Sequence, residues 1–280
     1  MQQRDAFIAE IHRAALRDSK IMFLSADLGA PALDRYREEC PSQFVHCGIS
    51  EQNMVNVAVG MALAGKKPYI YAMSPFFLRC LEQLKLAAFH GVPITVVSVG
   101  AGLSYVGSGP THYATEDIAC YRTLVNAELY TCSTANQAAA MARKSVDSDH
   151  MQIVRLERGE LAELYENPKV TDGYTILERP NDQHPYLACG YLVHWLKKRG
   201  YNVIDVYRQK PISPLLAIEL EQYDYVHSFE EQYGYGGFGA AIIEALSDYG
   251  KKTRVFRRTL RDRPIYENGS REELLASAWT

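Results

Sequence analysis

The sequence predicts an α/β protein with two doubly wound domains, and three observations lead to this prediction. Short apolar runs of strand length alternate with segments of helical periodicity, beginning at Ile21–Ser25 and Glu51–Ala64. Strands separated by helices favour a parallel sheet that is covered on both faces. The periodicity is lost in a linker at residues 166–184, where Pro, Asn, Asp and Gly accumulate, and it resumes beyond. We therefore expect a first domain at residues 1–165 and a second, smaller one at 185–280.

The same patterns predict the individual elements. A charged N-terminal segment forms a helix with one apolar face, which carries Phe7, Ile8, Ile11, Ala15 and Leu16. The next elements of the first domain are strand Ile21–Ser25, helix Glu51–Ala64, strand Pro68–Met73, helix Phe77–Phe89, strand Ile94–Val99, strand Ala127–Cys132, helix Ala135–Ser145 and strand Gln152–Leu156. The second domain contains strand Tyr186–Ala188, helix Leu192–Lys198, strand Asn202–Tyr207, strand Tyr225–Phe229 and helix Ala240–Asp248.

Composition and charge limit the classes of function. The chain has 280 residues, and 47% of them are hydrophobic, which is enough to fill the cores of two ordinary domains. The charges sum to −3 without a long block of one sign, so nucleic acid is not expected as a partner. The arginine-rich stretch at residues 254–263 is interpreted as a solvated face or a subunit contact, with a phosphate site as the alternative.

Cysteine use and the N-terminus predict the compartment. The six cysteines lie far apart and form no C-x-x-C pair, which indicates a reducing compartment and no structural zinc. The N-terminal segment carries charge throughout, so it is neither a signal peptide nor a membrane span. We expect a cytoplasmic protein that does not bind a membrane.

The most informative segment is residues 44–83. Within it, Ser50 is a candidate N-cap, and Glu51 falls in the first turn of a helix whose other face is apolar. A carboxylate at this position has two interpretations. It is either a solvated glutamate that the helix dipole favours or a functional carboxyl group.

A resemblance decides between these interpretations. Residues 48–69 read GISEQNMVNVAVGMALAGKKPY, which resembles the pyrimidine-domain signature of transketolases, 1-deoxyxylulose-5-phosphate synthases and the β subunits of 2-oxoacid dehydrogenases. The resemblance implies a pyrimidine-binding domain followed by a transketolase C-terminal domain. It also implies that Glu51 is catalytic and hydrogen-bonds the aminopyrimidine ring of thiamine diphosphate. This role requires a carboxyl group in an apolar site that shares a proton with a ring nitrogen, and the cofactor serves as the electron sink.

Further matches place side chains around the same cofactor. Residues 74–79, SPFFLR, resemble the family's S-T-F-L-x-R run, in which the aromatic ring stacks on the pyrimidine. Phe76 matches that ring, and Arg79 is assigned to the cofactor with it. Asp27 matches an S-A-D-L strand end that reaches the cofactor region in transketolases. Without the resemblance, Phe76 would be an ordinary core residue and Asp27 a turn residue.

Two positions are assigned to the substrate. Residues 107–112, GSGPTH, resemble the family's D-G-P-T-H-Q loop, whose histidine contacts the donor sugar, so the resemblance implies a catalytic and substrate-binding His112. Arg158 falls where the family places an arginine that binds the sugar phosphate, and a guanidinium fork suits that ligand. The alternatives are an idle loop histidine and a surface arginine.

Two other positions depart from the family pattern. Ser108 stands where transketolases carry an aspartate that recognises a donor hydroxyl, and it is assigned to the substrate. Gly100 stands about where they carry another substrate histidine. We therefore expect a donor or acceptor other than the standard pentose-phosphate pair.

The second domain is predicted to be structural. Residues 229–239 resemble the family's turn before a helix, although Gly234, Gly236 and Gly239 also satisfy the G-x-G-x-x-G dinucleotide fingerprint. Too little chain follows for the rest of a nucleotide-binding domain. Compared with the family, this domain lacks its usual first strand and part of a helix at residues 181–187.

The metal site is expected on another chain. The family binds the cofactor's diphosphate through a divalent metal, which a G-D-G…N motif on a different domain holds. No G-D-G occurs in this sequence, and no residue of it is assigned to a metal. The resemblance thus implies a separate N-terminal-type, diphosphate-binding subunit that supplies the Mg²⁺ ligands, in an α2β2 assembly.

Together these features predict the β-type subunit of a two-component transketolase. It would transfer a two-carbon ketol unit between a ketose and an aldose that are phosphorylated or otherwise specialised. The alternatives are the β subunit of a 2-oxoacid dehydrogenase, a pyruvate-using enzyme like deoxyxylulose-phosphate synthase, which Arg79 favours slightly, and a non-catalytic scaffold. The arrangement at Gly109–His112 argues against the dehydrogenase, and intact Glu51 and Phe76 argue against the scaffold.

Overall fold

The computed structural model describes residues 1–177 and 184–280, which form two sheets covered by helices. The strands, in chain order, are β1 (Ile21–Ser25), β2 (Phe44–His46), β3 (Lys67–Met73), β4 (Thr95–Val99), β5 (Ala127–Thr131), β6 (Met151–Leu156), β7 (Thr175–Ile176), β8 (Tyr186–Ala188), β9 (Val203–Asp205), β10 (Arg208–Lys210), β11 (Tyr225–Tyr233) and β12 (Arg254–Leu260). The helices are α1 (Gln3–Ala15), α2 (Pro31–Glu39), α3 (Glu51–Leu63), α4 (Ser74–Phe77), α5 (Leu81–Phe89), α6 (Asp117–Arg122), α7 (Ala135–Val146), α8 (Tyr191–Lys197), α9 (Pro214–Leu220), α10 (Phe238–Asp248) and α11 (Arg271–Ala278).

The first sheet is almost entirely parallel. Over the described ranges it has seven strands, in the order β2-β1-β3-β4-β6-β5-β10, and β10 alone runs antiparallel to its neighbour. Every side chain of the central strands β4 and β6 is buried. Strands that are buried on both faces require helices on both faces, and their β-branched residues suit this position. The predicted α/β class is confirmed.

Two apolar layers cover the first sheet. On one face α1, α2 and α7 pack against Phe23, Tyr71 and Val97. On the other face α3, α5 and α6 pack against a core that continues without interruption into the second domain, where it includes Leu187 and Phe238. The two domains therefore share one apolar core.

The second sheet is smaller. Its strands lie in the order β12-β11-β8-β9-β7 within the part of the chain that the structure describes, and β7 is the antiparallel edge strand. Helices α9 and α10 cover the face that continues the shared core. Helices α8 and α11 pack on the other face around Leu196, Leu260 and Trp279.

Several elements differ from the prediction. The helix predicted over Phe77–Phe89 is divided into α4, a 3₁₀ turn and α5. Leu16 lies beyond the last residue of α1 and is 54% exposed, so it does not belong to the buried face. Strand β7 lies within the predicted linker, and β10 extends the first sheet although it belongs to the predicted second domain. Residues 178–183 of that linker, and with them the start of the stretch 181–187, lie outside the described residues.

The arginine-rich stretch forms an edge strand. Arg254, Arg257 and Arg258 of β12 are exposed. Beside this strand lies a cleft of about 1120 Å³, which is lined by residues of the second domain, including Tyr225 and His227. None of the predicted site residues lines this cleft. Among the described helices, none is long and apolar enough to cross a membrane.

Candidate active site

The predicted site residues all follow the carboxyl ends of parallel strands. Because these ends meet at one edge of the sheet, the side chains that follow them converge there. The chain also runs from β1 outward to β2 and then returns to β3 on the other side of β1, and such a reversal opens a crevice at this edge. The residues concerned are Asp27 after β1, Glu51 after β2, Phe76 and Arg79 after β3, Ser108 and His112 after β4, and Arg158 after β6.

Glu51 is the first residue of α3, and its side chain is 4% exposed. The nearest cation is Arg79, whose Nη1 lies 3.7 Å from Glu51 Oε2. Among the described residues no group donates a hydrogen bond to this carboxylate, and Ser50 occupies the N-cap position without a side-chain capping bond. Glu51 is therefore not a solvated first-turn residue but a buried acceptor that the helix N-terminus favours.

Phe76 lies on α4, directly after β3, and its ring is half-buried. Pro75 stands in the first turn of α4, where its fixed φ suits the start of a helix. The ring centroid of Phe76 lies 5.9 Å from Cζ of Arg79 and 5.6 Å from the ring centroid of His112. The structure thus joins Glu51, Arg79, Phe76 and His112 in one row of contacts.

His112 ends a 3₁₀ turn that begins after Gly109. Gly109 has a φ of +76°, a conformation that glycine adopts without strain. Nδ1 of His112 lies 2.9 Å from the hydroxyl of Thr111, and its ring meets Phe76 edge-on. Ser108 is exposed on the preceding turn of the same loop. The loop therefore presents His112 beside the ring of Phe76 and carries Ser108, exposed, on its preceding turn.

Tyr105 is a member of this group that the sequence did not indicate. Its ring centroid lies 6.3 Å from that of His112 and 4.6 Å from Cζ of Arg158. Tyr105 thereby connects Arg158 to the row of contacts. An aromatic residue between Ser104 and Val106 belongs to no periodic pattern, so only the folded loop shows its position.

Asp27 lies at the same edge but contacts a different partner. Its φ of +54° puts it in the left-handed region, which costs free energy for a residue other than glycine. Oδ1 of Asp27 lies 3.6 Å from Nε2 of His46 at the end of β2, and both side chains are about half exposed. His46 is a second residue of this edge that the sequence did not indicate.

Behind this edge lies a buried ionic cluster, which we define as Arg155, Asp117, Arg271, Glu157 and Glu231. Arg155 donates to both carboxylate oxygens of Asp117, at 2.7 and 3.0 Å. Arg271 donates to both oxygens of Glu157, at 2.8 and 3.1 Å, and also to Glu231. Burial opposes ionisation of Glu157, but Arg271, together with hydrogen bonds from Ser104 and the N–H of Tyr191, outweighs it and lowers the pKa of that carboxyl group. The cluster ties the first domain to β11 and α11 of the second.

The residues present fit the pyrimidine end of a thiamine cofactor. Glu51 offers a buried carboxylate without a hydrogen-bond donor, and Phe76 offers an aromatic face at the same edge. An aminopyrimidine ring has both a nitrogen that accepts a shared proton and a flat face that stacks. Within the described ranges, no group of three or more His, Cys, Asp or Glu side chains could hold a metal ion.

Comparison with known proteins identifies the family. Residues 1–163 match the family described as "Transketolase, pyrimidine binding domain". The chain belongs to the transketolase family. Membership in this family implies dependence on thiamine diphosphate.

Individual relatives define the extent of the match to this transketolase chain. It is 28% identical to one subunit of the apulose-4-phosphate transketolase of Phocaeicola vulgatus, over 90% of this chain and 86% of that subunit. It is 26% identical to the transketolase of Homo sapiens over 75% of this chain, which is 36% of that protein. A solved structure described as "Split gene transketolase, inactive beta4 tetramer" superposes with a TM-score of 0.80 and 25% identity, over 94% of this chain and 90% of that chain.

These matches confirm two predictions, the fold and the type of chain. The fold is that of transketolases, with the pyrimidine-binding and C-terminal domains. The chain is a transketolase-like transferase of the β type, similar to a separate subunit over nearly the full length of both chains. The matches do not favour the 2-oxoacid dehydrogenase or the pyruvate-using enzyme.

Proposed function

We propose that this chain supplies the pyrimidine side of the active site in a two-component transketolase, which moves a two-carbon ketol unit from a ketose to an aldose. One observation carries the proposal. At the carboxyl edge of the first sheet, the buried carboxylate of Glu51 lies without a hydrogen-bond donor among the described residues, in a row of contacts with Arg79, Phe76 and His112. A buried acceptor of this kind requires a partner, and the cofactor's ring is one.

The cofactor-side residues have distinct tasks. Glu51 holds a proton between its carboxyl group and the pyrimidine ring, and burial makes that hydrogen bond stronger than it would be in water. Phe76 stacks on the ring and excludes water from it. Arg79 lies 3.7 Å from Glu51 and faces the same cofactor, and Asp27 supports the site from β1. When bound, thiamine diphosphate supplies the electron sink that cleavage of a carbon–carbon bond in a ketose requires.

The substrate-side residues belong to the loops after β4 and β6. His112 is in position to exchange a proton or a hydrogen bond with a sugar hydroxyl, since an imidazole does both near neutral pH. Ser108 lies on the same loop and contributes a hydroxyl group in place of the aspartate of transketolases. Arg158 is exposed and binds the anionic group of a phosphorylated sugar. The substrates are therefore phosphorylated or otherwise anionic sugars.

A partner subunit completes the site. We propose that it binds the diphosphate and Mg²⁺, because this sequence contains no G-D-G motif and Mg²⁺ prefers carboxylate and phosphate oxygens as ligands. The similar split-gene transketolase is described as an inactive β4 tetramer, which supports a chain that is inactive without its partner. We place the assembly in the cytoplasm as an α2β2 heterotetramer with each active site at an interface.

Turnover tests this proposal. Ketol transfer is measured with this chain alone, with a G-D-G-bearing partner alone and with the mixture, over a panel of phosphorylated ketoses and aldoses. We expect activity only in the mixture that also contains thiamine diphosphate and Mg²⁺. Activity of this chain alone would contradict the two-component function, and a mixture that assembles but transfers no ketol unit would support the scaffold instead.

A further inference from the structure

Tyr105 occupies the space beside Gly100. Gly100 follows β4, its φ is +94°, and its N–H donates to the carbonyl of Leu156 at the end of β6. A Cβ at this position would lie 2.6 Å from Cδ2 of Tyr105, and Cε2 of the ring would be closer still. Contacts this short do not occur, so any side chain at position 100 would require the ring of Tyr105 to move. Gly100 stands about where transketolases carry another substrate histidine, and the ring of Tyr105 occupies the space beside it.

The same ring supports Arg158. Its guanidinium Cζ lies 4.6 Å from the ring centroid, a cation–π arrangement. Arg158 is exposed, and among the described residues it forms no ion pair or hydrogen bond. Stacking on the ring orients the guanidinium and leaves its N–H fork free for an anion. Burial raises the pKa of Tyr105, although Arg158 and Arg4 oppose the shift, so its hydroxyl stays protonated at neutral pH.

The loop that carries Tyr105 is anchored from behind. The neighbouring Ser104 donates to the carbonyl of Ala101 at 2.7 Å, and Nη1 of Arg271 lies 3.3 Å from its hydroxyl oxygen. A second hydrogen bond joins the two ends of the loop: Ala114, which follows Tyr105 in the chain, donates its N–H to the carbonyl of Gly102, which precedes it, at 2.9 Å. The ring is therefore attached to a fixed support, as a positioning residue requires.

We propose that Tyr105 is a positioning residue for substrate selection, which holds Arg158 in place to bind the phosphate of a phosphorylated aldose or ketose beside His112. The proposal rests on the function proposed above and names the residue that gives that site its preference for anionic sugars. The phosphate is then recognised by the guanidinium of Arg158, which stacks on the ring of Tyr105, and not by a polar side chain at position 100.

The test compares a phosphorylated with a neutral sugar. Calorimetry measures the binding of D-glyceraldehyde 3-phosphate and of D-glyceraldehyde to the complex of this chain with its diphosphate-binding partner. The variants are Tyr105→Phe, which keeps the ring, Tyr105→Ala, which removes it, and the control Tyr249→Ala, an exposed tyrosine after α10. Ketol transfer and thiamine diphosphate affinity are measured on the same samples.

We expect wild type to bind the phosphorylated sugar about tenfold more tightly than the neutral one. Tyr105→Ala should abolish this preference and leave the affinities for the neutral sugar and the cofactor unchanged, whereas Tyr105→Phe and Tyr249→Ala should keep it. The inference is overturned if wild type shows no preference, if Tyr105→Ala keeps it, or if that variant weakens both sugars equally. Binding needs no turnover, so a complex that shows the expected preference but transfers no ketol unit refutes the proposed function alone.

Discussion

Helices α3 and α11 both begin with a charged residue, and the surroundings of these two charges are opposite. Arg271 begins α11 behind a complete capping box, in which Ser270 and Glu273 satisfy each other's groups, and its guanidinium donates to Glu157 and Glu231. Glu51 begins α3 behind a serine that makes no capping bond, and its nearest cation is 3.7 Å away. We call the start of α11 closed, because its own side chains satisfy the capping hydrogen bonds. We call the start of α3 open, because the side chain of Ser50 makes no capping bond there.

The difference separates structural charges from functional ones. A buried charge whose hydrogen-bonding groups are all occupied contributes to stability and specificity. Removing one partner destabilises the fold, because the other charge is then buried without its counter-ion. A buried charge without a hydrogen-bonded partner destabilises the isolated chain, and this cost is offset only when a ligand binds to it. Substitutions at the two helix starts should therefore change different quantities.

The largest expected effect is that of Glu51→Gln on turnover. Removing the carboxyl group should lower ketol transfer by the mixture with the partner by about 10²- to 10⁴-fold, the usual contribution of a positioned acid or base. The free energy of unfolding should not fall, because the wild-type carboxylate has no hydrogen bond among the described residues to lose. Steady-state kinetics and urea unfolding measure both, with the exposed Glu38→Gln as control. Equal activity of the two variants would remove Glu51 from the mechanism.

Arg271→Met should have the opposite profile. It leaves Glu157 and Glu231 buried without their cation, so the free energy of unfolding should fall by about 3–5 kcal/mol. The control is Arg35→Met, which breaks the exposed pair with Glu39 and should leave stability close to that of wild type. Urea unfolding measures the two variants. A loss at Arg271 no larger than that at Arg35 would contradict a structural role for the buried ionic cluster.

A smaller effect concerns pH and Glu230, which lies beside this cluster. Burial raises its pKa to about 7 from 4.5, against the N–H of Gly239 at 3.1 Å. Between pH 4.5 and about 7, Glu230 holds a proton in the folded chain and has lost it in the unfolded chain. The free energy of unfolding should therefore fall as pH rises through this window, by about 1 kcal/mol per pH unit.

Glu230→Gln should flatten that dependence, as urea unfolding across the window would show. Burial also raises the pKa of Asp205, to about 6, but this group is common to both proteins and its contribution cancels in the comparison. Parallel pH profiles of wild type and Glu230→Gln would contradict the assignment.

The smallest effect compares the two capping serines directly. Ser270→Ala removes a side-chain bond to the N–H of Glu273 and should cost about 1 kcal/mol. Ser50→Ala removes no such bond and should change stability much less. Thermal unfolding of the two variants gives the difference. A cost at Ser50 as large as that at Ser270 would show that the start of α3 is closed after all.

The sequence predicted the parts of the site that depend on local pattern. Alternating strands and helices place Glu51, Phe76, His112 and Arg158 after parallel strands, and parallel strands bring their ends together. Their roles came from resemblance, since a buried glutamate and a solvated one look alike in a sequence.

Other features depend on contacts that only the folded chain forms and could not be predicted. Arg271 meets Glu157 and Glu231 from 114 and 40 residues away. Tyr105 gains its position from a ring packed against Gly100. Strand β10 is three polar residues long, and only its pairing with β5 makes it a strand.

The most direct test of the open helix start is cofactor binding. Calorimetry with thiamine diphosphate and Mg²⁺ is carried out on this chain alone, on the partner alone and on the mixture, with wild type and Glu51→Gln. We expect wild type to bind the cofactor tightly only in the mixture, and Glu51→Gln to weaken that binding while the two subunits still assemble. Tight binding by this chain alone, or equal binding by both forms in the mixture, would contradict a site that is shared between two subunits and centred on Glu51.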